Sequence, residues 1–324
     1  MNDEHSVIIP MSEPTVTVIM PAYNHEQYVG EAIESVLKQT FTNFELIIIN
    51  DGSTDGTAAK VQSYADPRIR YYEQENRDAY HVLNRGLGLA RGRYVSIINS
   101  DDLYAAERLS FLVDCMRQSN CNFIITDVEL IGDDSLPIDD QNHWFHQWFG
   151  RLKDIFGQSA SVESALLSGN LAVSSSNFFF DRDAAVKVGL FRQYRYAHDY
   201  DYALRALKVY GRGFVFYPGK KLVSYRVHGS NTIRESTGAI YEETLSVLID
   251  YVTGTISNNE DKAFVSKVLK LMGETSIFEL KKRDSAIKTL NSLTGTVSWK
   301  ITEPLRSLGK LLNINRNGQD CGFS

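Results

Sequence analysis

The alternation of strand-like and helix-like segments constrains the fold of this 324-residue chain more than any other feature. Five short apolar runs, most of them rich in β-branched residues, read as buried strands: residues 15–20, 44–49, 69–72, 94–98 and 123–130. Segments with helical spacing of apolar residues lie between them: residues 26–39, 56–65, 79–90 and 105–117. This order predicts an α/β fold, with a mixed but mostly parallel sheet covered by helices on both faces.

Polar, turn-rich segments follow three of the predicted strands: PAYNHEQY from residue 21, NDGSTDG from residue 50 and NSDD from residue 99. Pro21 is expected to end the first strand, because proline cannot donate to a strand ladder. Ligands of parallel α/β sheets bind beyond the carboxyl ends of the strands. We therefore expect the three segments to converge on one ligand-binding crevice.

Two adjacent carboxylates, Asp101 and Asp102, stand directly after the strand at 94–98. Like charges this close raise each other's pKa unless a cation or hydrogen-bond donors keep them ionised. The pair therefore indicates a site for a positive group. Alternatively, the pair caps the helix predicted from residue 105, since aspartate is common at helix starts.

Composition argues against several classes of protein. The chain is 43% apolar and 23% charged, as in globular proteins, and its net charge of −6 argues against a nucleic-acid partner. No run approaches the roughly 20 apolar residues of a membrane-spanning helix. Three cysteines without a CxxC pair, and an N-terminus without a secretory signal, predict reduced thiols and a cytoplasmic location.

Three segments taken in order carry a family resemblance: VTVIMPAYNHEQYVGEAIESVLKQTF, FELIIINDGSTDGT and ARGRYVSIINSDD. Together they resemble the opening of glycosyltransferase family 2, of the bacterial surface-polysaccharide type, from about Thr15 to Asn231. The resemblance implies the GT-A nucleotide-sugar-binding fold. It also implies inverting, metal-dependent transfer from a nucleotide-sugar, a UDP- or dTDP-sugar by default, to a hydroxyl of a glycan or lipid-linked acceptor.

The resemblance assigns contacts to the nucleotide-sugar donor. The segment that passes under the base and ribose corresponds to Pro21, Ala22, Tyr23 and Asn24. Asp51 corresponds to the carboxylate that hydrogen-bonds to the base edge, and Arg77 or Asp78 to a polar contact near the nucleotide. NDGSTDG is also a turn sequence in its own right, and the two interpretations are compatible.

The resemblance further implies a divalent cation, Mg²⁺ or Mn²⁺, between the acidic pair and the diphosphate, and hard oxygen ligands suit both ions. By this analogy Asp102 is the metal ligand, and Asp101 contacts the ribose or a metal-bound water. His228, in YRVHGSN at 225–231, resembles the family's histidine-bearing loop and is a candidate for metal or diphosphate contact. A lone histidine is otherwise more often a surface or internally satisfied residue.

The catalytic base implied by the resemblance is Asp199, in YRYAHDYDYALRALKVYG, at the start of a helix. A purely structural alternative is that Asp199 and Asp201 stabilise the helix dipole. His198 replaces a common glutamate before the base, and could orient or tune it. Asn50 and Asn99 stand where acidic residues are frequent in the family. The absence of a QxxRW motif argues against a processive polymerase.

Four segments are predicted along the chain: an N-terminal tail (1–14), a GT-A domain (15–235), a helical extension (236–295) and a basic amphipathic tail (296–324). The GT-A domain is divided into two halves, 15–130 and 131–235.

An amphipathic helix at 143–156 either packs on the core or serves as a lid or acceptor wall. The tail either lies on an anionic membrane, which would place the protein peripherally on the inner membrane face, or docks on its own domain or a second subunit.

Two rival classes fit the sequence poorly. GLGLARG at 86–92 lies inside a predicted helix and lacks the third glycine or alanine of a dinucleotide-binding loop, which argues against an oxidoreductase. PAYNHEQY has no glycine, unlike the phosphate loop of nucleotidyltransferases. A non-catalytic nucleotide-sugar-binding or scaffold protein remains as an alternative, and the presence of Asp199 and His228 argues against it.

Overall fold

The computed structural model describes residues 13–229, 231, 236–254 and 259, and its strands form one eight-stranded sheet. The strands are β1 Val16–Ala22, β2 Phe44–Asp51, β3 Ile69–Gln74, β4 Tyr94–Ile97, β5 Leu103–Tyr104, β6 Phe123–Ile131, β7 Phe179–Asp181 and β8 Phe214–Arg226. Their order across the sheet is β3-β2-β1-β4-β7-β6-β8-β5. The β1, β2, β3 and β4 strands run parallel, β7 is antiparallel to both of its neighbours, β8 is parallel to β6, and β5 is antiparallel to β8.

Helices cover both faces of this sheet. They are α1 Val29–Leu37, α2 Thr57–Gln62, α3 Ala79–Leu89, α4 Arg108–Gln118, α5 Trp144–Ser159, α6 Val162–Ser168, α7 Arg182–Val188, α8 His198–Tyr210 and α9 Thr237–Thr253. The apolar residues of α1, α2 and α4 pack on one face, and those of α3, α5, α6, α8 and α9 pack on the other. The predicted α/β class is confirmed.

Burial on both faces explains the continuous apolar run of β2. Successive side chains of a strand point to opposite faces of the sheet. Leu46 and Ile48 accordingly pack with the α1 side, whereas Ile47 and Ile49 contact Val82 of α3. All eight residues of β2 are buried, so a strand at this position needs apolar residues on both sides.

Pro21 lies inside β1, so the prediction that it ends the strand was wrong. The β1–β2 ladder continues past it, with Pro21 opposite Ile49. On the other side, the β1–β4 ladder ends where Ile19 stands opposite Ile97. The backbone nitrogen of Pro21 faces the β4 side of the strand. Pro21 lies two residues beyond Ile19, where β4 has already ended. The missing N–H of proline therefore costs the sheet no hydrogen bond.

The sequence did not predict β5, β7, α6 and α7, and their lengths explain why. The two strands contain two and three residues, and the two helices seven residues each. Such segments are too short for hydrophobic periodicity to reveal. Capping side chains are the local signal that remains, since Ser161 accepts from the amide of Ser164 at the start of α6, and Asp181 from the amide of Asp183 at α7.

Two glycines of α3 make a matched pair for testing how tightly this helix packs. A Cβ added at Gly86 would lie 2.5 Å from Cγ2 of the buried Ile19 in β1, whereas one added at Gly88 meets nothing within 4 Å. We expect Gly86→Ala to destabilise the protein by about 1–3 kcal/mol through overpacking. Gly88→Ala should stabilise it by up to about 1 kcal/mol through helix propensity. Urea unfolding checks both, and equal effects would contradict the close helix–strand contact.

Both predicted halves of the GT-A domain contribute strands to the one sheet. The predicted helical extension begins with α9, which α8 contacts through a hydrogen bond from Lys208 Nζ to the carbonyl of Gly254, 2.7 Å. Most of that extension, the tail at 296–324 and residues 1–12 lie outside the described residues. In the part of the chain that the structure describes, no helix has both the length and the apolar character to cross a membrane.

Candidate active site

The loops after β1, β2 and β4 meet at the carboxyl edge of the sheet, as predicted. The amide of Asn24 donates to Ser53 Oγ, 3.0 Å, and Asn24 Oδ1 accepts from the amide of Thr54, 2.8 Å. His25 Nδ1 lies 2.8 Å from Ser100 Oγ, which joins the β1 loop to the β4 loop. Asn24 has a φ of 50°, a left-handed conformation that asparagine tolerates. The three polar segments therefore line one crevice.

Asp51, the last residue of β2, is fixed by donors from the end of β3 and from the chain that follows it. Gln74 Nε2 donates to its Oδ1 at 2.7 Å, and the backbone amide of Arg77 donates to both of its oxygens at 3.1 and 3.2 Å. Burial raises the pKa of Asp51, and these two donors oppose the shift. The carboxylate is thus held in a set orientation beside the β1 loop.

The other residues assigned to the donor lie around Asp51. Pro21 and Ala22 are the last two residues of β1, and Tyr23 is 46% exposed in the loop that follows. Arg77 contacts Asp51 through its backbone, while the neighbouring Asp78 accepts a hydrogen bond from Arg195, 2.7 Å. The exposed ring of Tyr23 offers a flat surface on which a base can stack.

The acidic pair is divided between two environments. Asp102 is fully buried: Ser176 Oγ donates to its Oδ2 at 2.5 Å, and the amide of Arg226 donates to its Oδ1 at 2.9 Å. Burial and the negative charge of Asp101 raise the pKa of Asp102 well above its ordinary value. For Asp101 burial acts in the same direction, but the charges of His25 and His228 outweigh it and lower the pKa.

Neither aspartate caps the following helix, so that alternative was wrong. The α4 helix begins at Arg108, three residues later than predicted, and its N-cap is Glu107 without a side-chain cap. The carboxylates are instead directed to partners far away along the chain. Their positions are therefore set by the site and not by the start of a helix.

Asp101 is the centre of a cluster with two imidazoles. His228 Nε2 lies 3.1 Å from Asp101 Oδ2, and His25 Nε2 lies 3.9 Å from the same oxygen. One ligand atom from each residue lies within 4.8 Å of the others. Carboxylate oxygen and neutral imidazole nitrogen are both donors to divalent metal ions. The chemistry of this donor set therefore fits a divalent cation, and the set contains Asp101 and His228 but not Asp102.

Sequence reasoning missed His25, although it stands in the quoted PAYNHEQY segment. Its side chain is directed at Asp101 because its Nδ1 contacts Ser100 and its backbone amide donates to Thr57 Oγ1, 2.8 Å. These partners are 75 and 32 positions away. The polar character of the loop after β1 was the available signal, but it does not single out the histidine.

Arg226, at the end of β8, ties the cluster to the rest of the fold. Its side chain is fully buried, and its Nε donates to the carbonyl of Asp101 at 2.7 Å. Its Nη1 donates to the carbonyl of Gly132 and to Ser135 Oγ, at 3.0 and 2.8 Å, and its Nη2 pairs with Glu31 Oε2 at 2.9 Å. One guanidinium thereby joins β8, α1, the loop after β4 and the loop after β6.

Removal of this guanidinium is expected to destabilise the protein. In Arg226→Met the carbonyls of Asp101 and Gly132 lose their buried donors, which should cost about 3 kcal/mol of the free energy of unfolding. The half-exposed Glu31 can be rehydrated, so its lost ion pair adds little. Urea unfolding measures the change. Lys38→Met, which removes an exposed ion pair with Glu34 on α1, is the control and should change little.

The predicted base, Asp199, lies in the first turn of α8. Asn170 Nδ2 donates to its Oδ2 at 3.1 Å, and the amide of Tyr200 donates to its Oδ1 at 2.7 Å. Burial raises the pKa of Asp199, and the nearby His198 and these two donors only partly oppose the shift. A carboxylate with a raised pKa is better suited to accept a proton than an ordinary aspartate.

Tyr225, near the end of β8, lies in the electrostatic field of the predicted site. Its ring stacks on Phe145 of α5, with centroids 5.9 Å apart. Burial raises the pKa of Tyr225, and the negative charges of Asp102, Asp101 and Asp199 raise it further. The charges of the predicted base and of the acidic pair thus act on the same hydroxyl group.

Asp201, the second aspartate of α8, has a structural role. The Asp201 side chain is buried. Arg205 Nε donates to its Oδ2 at 2.8 Å, and Arg205 Nη2 lies 2.6 Å from the same oxygen. Arg192 Nη1 lies 3.3 Å from its Oδ1. Both oxygens of Asp201 are thus paired with arginines.

The amphipathic helix predicted at 143–156 is observed as α5, and its apolar face packs on the core. Phe145, Phe149 and Leu152 are buried in the cluster under the sheet, whereas Trp144 is 49% exposed. The core-packing interpretation is therefore confirmed. The exposed Trp144 lies at the end of the helix that also carries Phe145, the neighbour of Tyr225.

Sequence comparisons identify the family of this chain. The family model described as Glycosyl transferase family 2 matches residues 17–176. A glycosyltransferase of Rickettsia typhi, RT0329, is 30% identical over 237 residues, 71% of this chain and 69% of the relative. The chain belongs to glycosyltransferase family 2 and is a glycosyltransferase.

Two further relatives match over a shorter stretch. The UDP-Glc:alpha-D-GlcNAc-diphosphoundecaprenol beta-1,3-glucosyltransferase WfgD of Escherichia coli is 35% identical over 127 residues, 39% of this chain and 50% of the relative. The putative teichuronic acid biosynthesis glycosyltransferase TuaG of Bacillus subtilis is 38% identical over 130 residues, 39% of this chain and 52% of the relative. The chain spans about half the length of these two proteins.

Solved structures share the fold at low sequence identity. TarS 1-349 of S. aureus, in complex with UDP-GlcNAc, superimposes with a TM-score of 0.58 at 17% identity, covering 78% of this chain and 70% of TarS. The mannosyltransferase PcManGT of Pyrobaculum calidifontis, in complex with GDP-Man and Mn²⁺, gives 0.53 at 18%, covering 92% and 80%. The predicted GT-A fold is confirmed.

Proposed function

We propose that this glycosyltransferase moves a sugar, with inversion, from a nucleotide-sugar to a hydroxyl of a glycan or lipid-linked acceptor, in a reaction that requires a divalent cation. The observation that carries the proposal is the cluster of Asp101, His25 and His228, whose ligand atoms lie within 4.8 Å of one another, and Asp199 at the start of α8 is the proposed base. A base and a cation site are the two groups that such a displacement needs.

Each side chain has a defined task in this reaction. Asp199 accepts the proton of the acceptor hydroxyl while that oxygen forms its bond to the anomeric carbon, and the bond from this carbon to the nucleoside diphosphate breaks. Asn170 and the amide of Tyr200 hold the carboxylate in position. Asp51 and Tyr23 hold the base of the nucleotide. A bound cation supplies Lewis acidity toward the departing diphosphate.

We assign the cation to Asp101 and His228, in place of the Asp102 proposed from sequence. Both oxygens of Asp102 already accept hydrogen bonds from Ser176 and Arg226, and the side chain has no exposed surface. The Asp101 side chain keeps 11% exposure at the crevice and shares its Oδ2 with His228. Asp102 instead holds Ser176 and the end of β8 in place.

The choice of donor and acceptor rests on the relatives. The name of WfgD contains UDP-Glc as the donor and a diphosphoundecaprenol-linked sugar as the acceptor, and the name of TuaG contains teichuronic acid biosynthesis. We therefore propose a UDP-sugar, with a dTDP-sugar as second choice, and a lipid-linked acceptor in surface-polysaccharide synthesis. Contact of the tail at 296–324 with a membrane surface or a second subunit stays a prediction.

A panel of nucleotide-sugars tests the proposal. Thermal stabilisation with and without Mn²⁺ finds the donor, because ligand binding to the native state raises the melting temperature. Release of nucleoside diphosphate with a lipid-diphosphate-linked sugar acceptor then measures transfer. Donor binding without transfer or hydrolysis across the acceptors would favour the non-catalytic alternative. No stabilisation by any nucleotide-sugar would overturn the proposal.

A further inference from the structure

We propose that His25 is a third protein ligand of the cation, and that two imidazoles with one carboxylate make this site prefer Mn²⁺ to Mg²⁺. The inference rests on the proposed function, because it concerns the same cation. The motifs that pointed to the acidic pair and to His228 do not include His25. Its assignment comes from where the fold places its ring.

The positions of the three donor atoms suit one ion. His25 Nε2 and His228 Nε2 lie 3.9 and 3.1 Å from Asp101 Oδ2, and the three ligand atoms lie within 4.8 Å of one another. The two imidazole rings are almost perpendicular, at 86°, with centroids 5.6 Å apart. Two rings in this arrangement can direct their Nε2 atoms at the same point without stacking on each other.

The contact at the other ring nitrogen prepares His25 for this role. A metal-binding histidine usually donates its second N–H to a nearby acceptor, which fixes the tautomer and the ring. His25 Nδ1 lies 2.8 Å from Ser100 Oγ, and Ser100 is buried. A proton on Nδ1, donated to Ser100, leaves the lone pair of Nε2 facing Asp101.

The cluster is open on one side. The side chains of His25 and Asp101 are 21% and 11% exposed, and that of His228 only 1%. Three protein ligands on the closed side leave the remaining coordination positions to water and to phosphate oxygens of the donor. This matches the usual way in which a cation is shared between a protein and a nucleotide.

The donor set decides which cation binds best. Mg²⁺ requires near-ideal octahedral geometry, dehydrates reluctantly and is normally held by oxygen alone. Imidazole suits divalent ions of the first transition row, a series that begins with Mn²⁺ and does not include Mg²⁺. Two nitrogen donors therefore favour Mn²⁺, and removal of one should reduce the preference.

Electron paramagnetic resonance of Mn²⁺ with UDP tests the inference without any turnover. In the wild-type complex, spin-echo modulation should report nitrogen coupling from two imidazoles. In His25→Ala it should report one, and the Mn²⁺ affinity in the presence of UDP should fall by about 10–100-fold. The Mg²⁺ affinity should fall less, so that the preference for Mn²⁺ shrinks. His25→Gln, which keeps most of the side-chain volume, should behave like the alanine variant.

A matched control removes another histidine. His146 lies on α5, and its imidazole contacts the carbonyl of Ile138. His146→Ala should leave the nitrogen coupling and the affinities for Mn²⁺ and Mg²⁺ unchanged. If both His25 variants kept the nitrogen coupling and the Mn²⁺ affinity of the wild-type protein, His25 would not be a ligand of the cation. The proposed function would remain intact. Failure of the wild-type protein to bind Mn²⁺ with UDP would overturn both.

Discussion

Asp199→Asn is expected to lower kcat by roughly 10²–10⁴-fold, the range that general acid–base catalysis contributes. The amide has the shape of the carboxylate and can still contact Asn170 and the amide of Tyr200, but it cannot accept the acceptor proton. Affinity for UDP in the presence of Mn²⁺ should stay near that of the wild-type protein. Steady-state kinetics and calorimetry measure the two quantities separately.

The pH profile gives a second measurement of the same residue. Burial raises the pKa of Asp199, and the base acts in its deprotonated form. Activity should therefore decline, as the pH falls, at a higher pH than an ordinary aspartate would give. In Asp199→Asn this limb of the profile should disappear from the residual activity.

Asp201 provides the control, because it lies two residues away on the same helix and is paired with Arg205 and Arg192. Asp201→Asn should lower the free energy of unfolding and leave kcat of the folded enzyme close to the wild-type value. If Asp199→Asn kept most of its turnover, or if the two variants behaved alike, Asp199 would not be the base.

Asp101→Asn is expected to weaken Mn²⁺-dependent UDP binding by roughly 100-fold, because it removes the charged oxygen on which the two histidines converge. Asp102→Asn should leave that affinity within a few-fold. Asp102 is fully buried and its oxygens contact Ser176 and the amide of Arg226, and an asparagine of the same shape can occupy that position. The Ser176 hydroxyl can turn to accept from the amide.

Each of these variants serves as the control of the other, since they change neighbouring residues in the same way. Calorimetric titration of UDP with and without Mn²⁺ gives the two affinities. The reverse result, loss in Asp102→Asn and retention in Asp101→Asn, would restore the assignment made from sequence. It would also remove the basis for His25 as a ligand.

The contrast between β2 and β8 shows how much of the fold the sequence could predict. The eight residues of β2 are buried on both faces, so their apolar run is visible in the sequence. In the thirteen residues of β8, buried and partly buried positions flank an exposed stretch, Pro218–Lys221, without regular alternation, and the register with β6 shifts there. No regular period marks such a strand, although β8 ends at the site.

In the site, too, some features could be predicted from local motifs and others depend on residues far away in the sequence. Local motifs were enough to place Asp51 and the acidic pair at the carboxyl edge of the sheet. They could not tell which aspartate of the pair faces the crevice, because that depends on partners 74 and 124 positions away, Ser176 and Arg226. The same limit applies to His25, whose orientation depends on Ser100.

The closing of the cluster by Arg226 and His228 has a consequence for synthesis of the chain. His228 follows Asp101 by 127 positions, and Arg226 follows Glu31 by 195. At about 5–20 residues per second, a ribosome needs roughly 6–25 s to add the stretch between Asp101 and His228. Throughout that time the nascent β1–β4 half lacks two of the groups that organise the acidic pair, so unfinished chains should not sequester nucleotide-sugar.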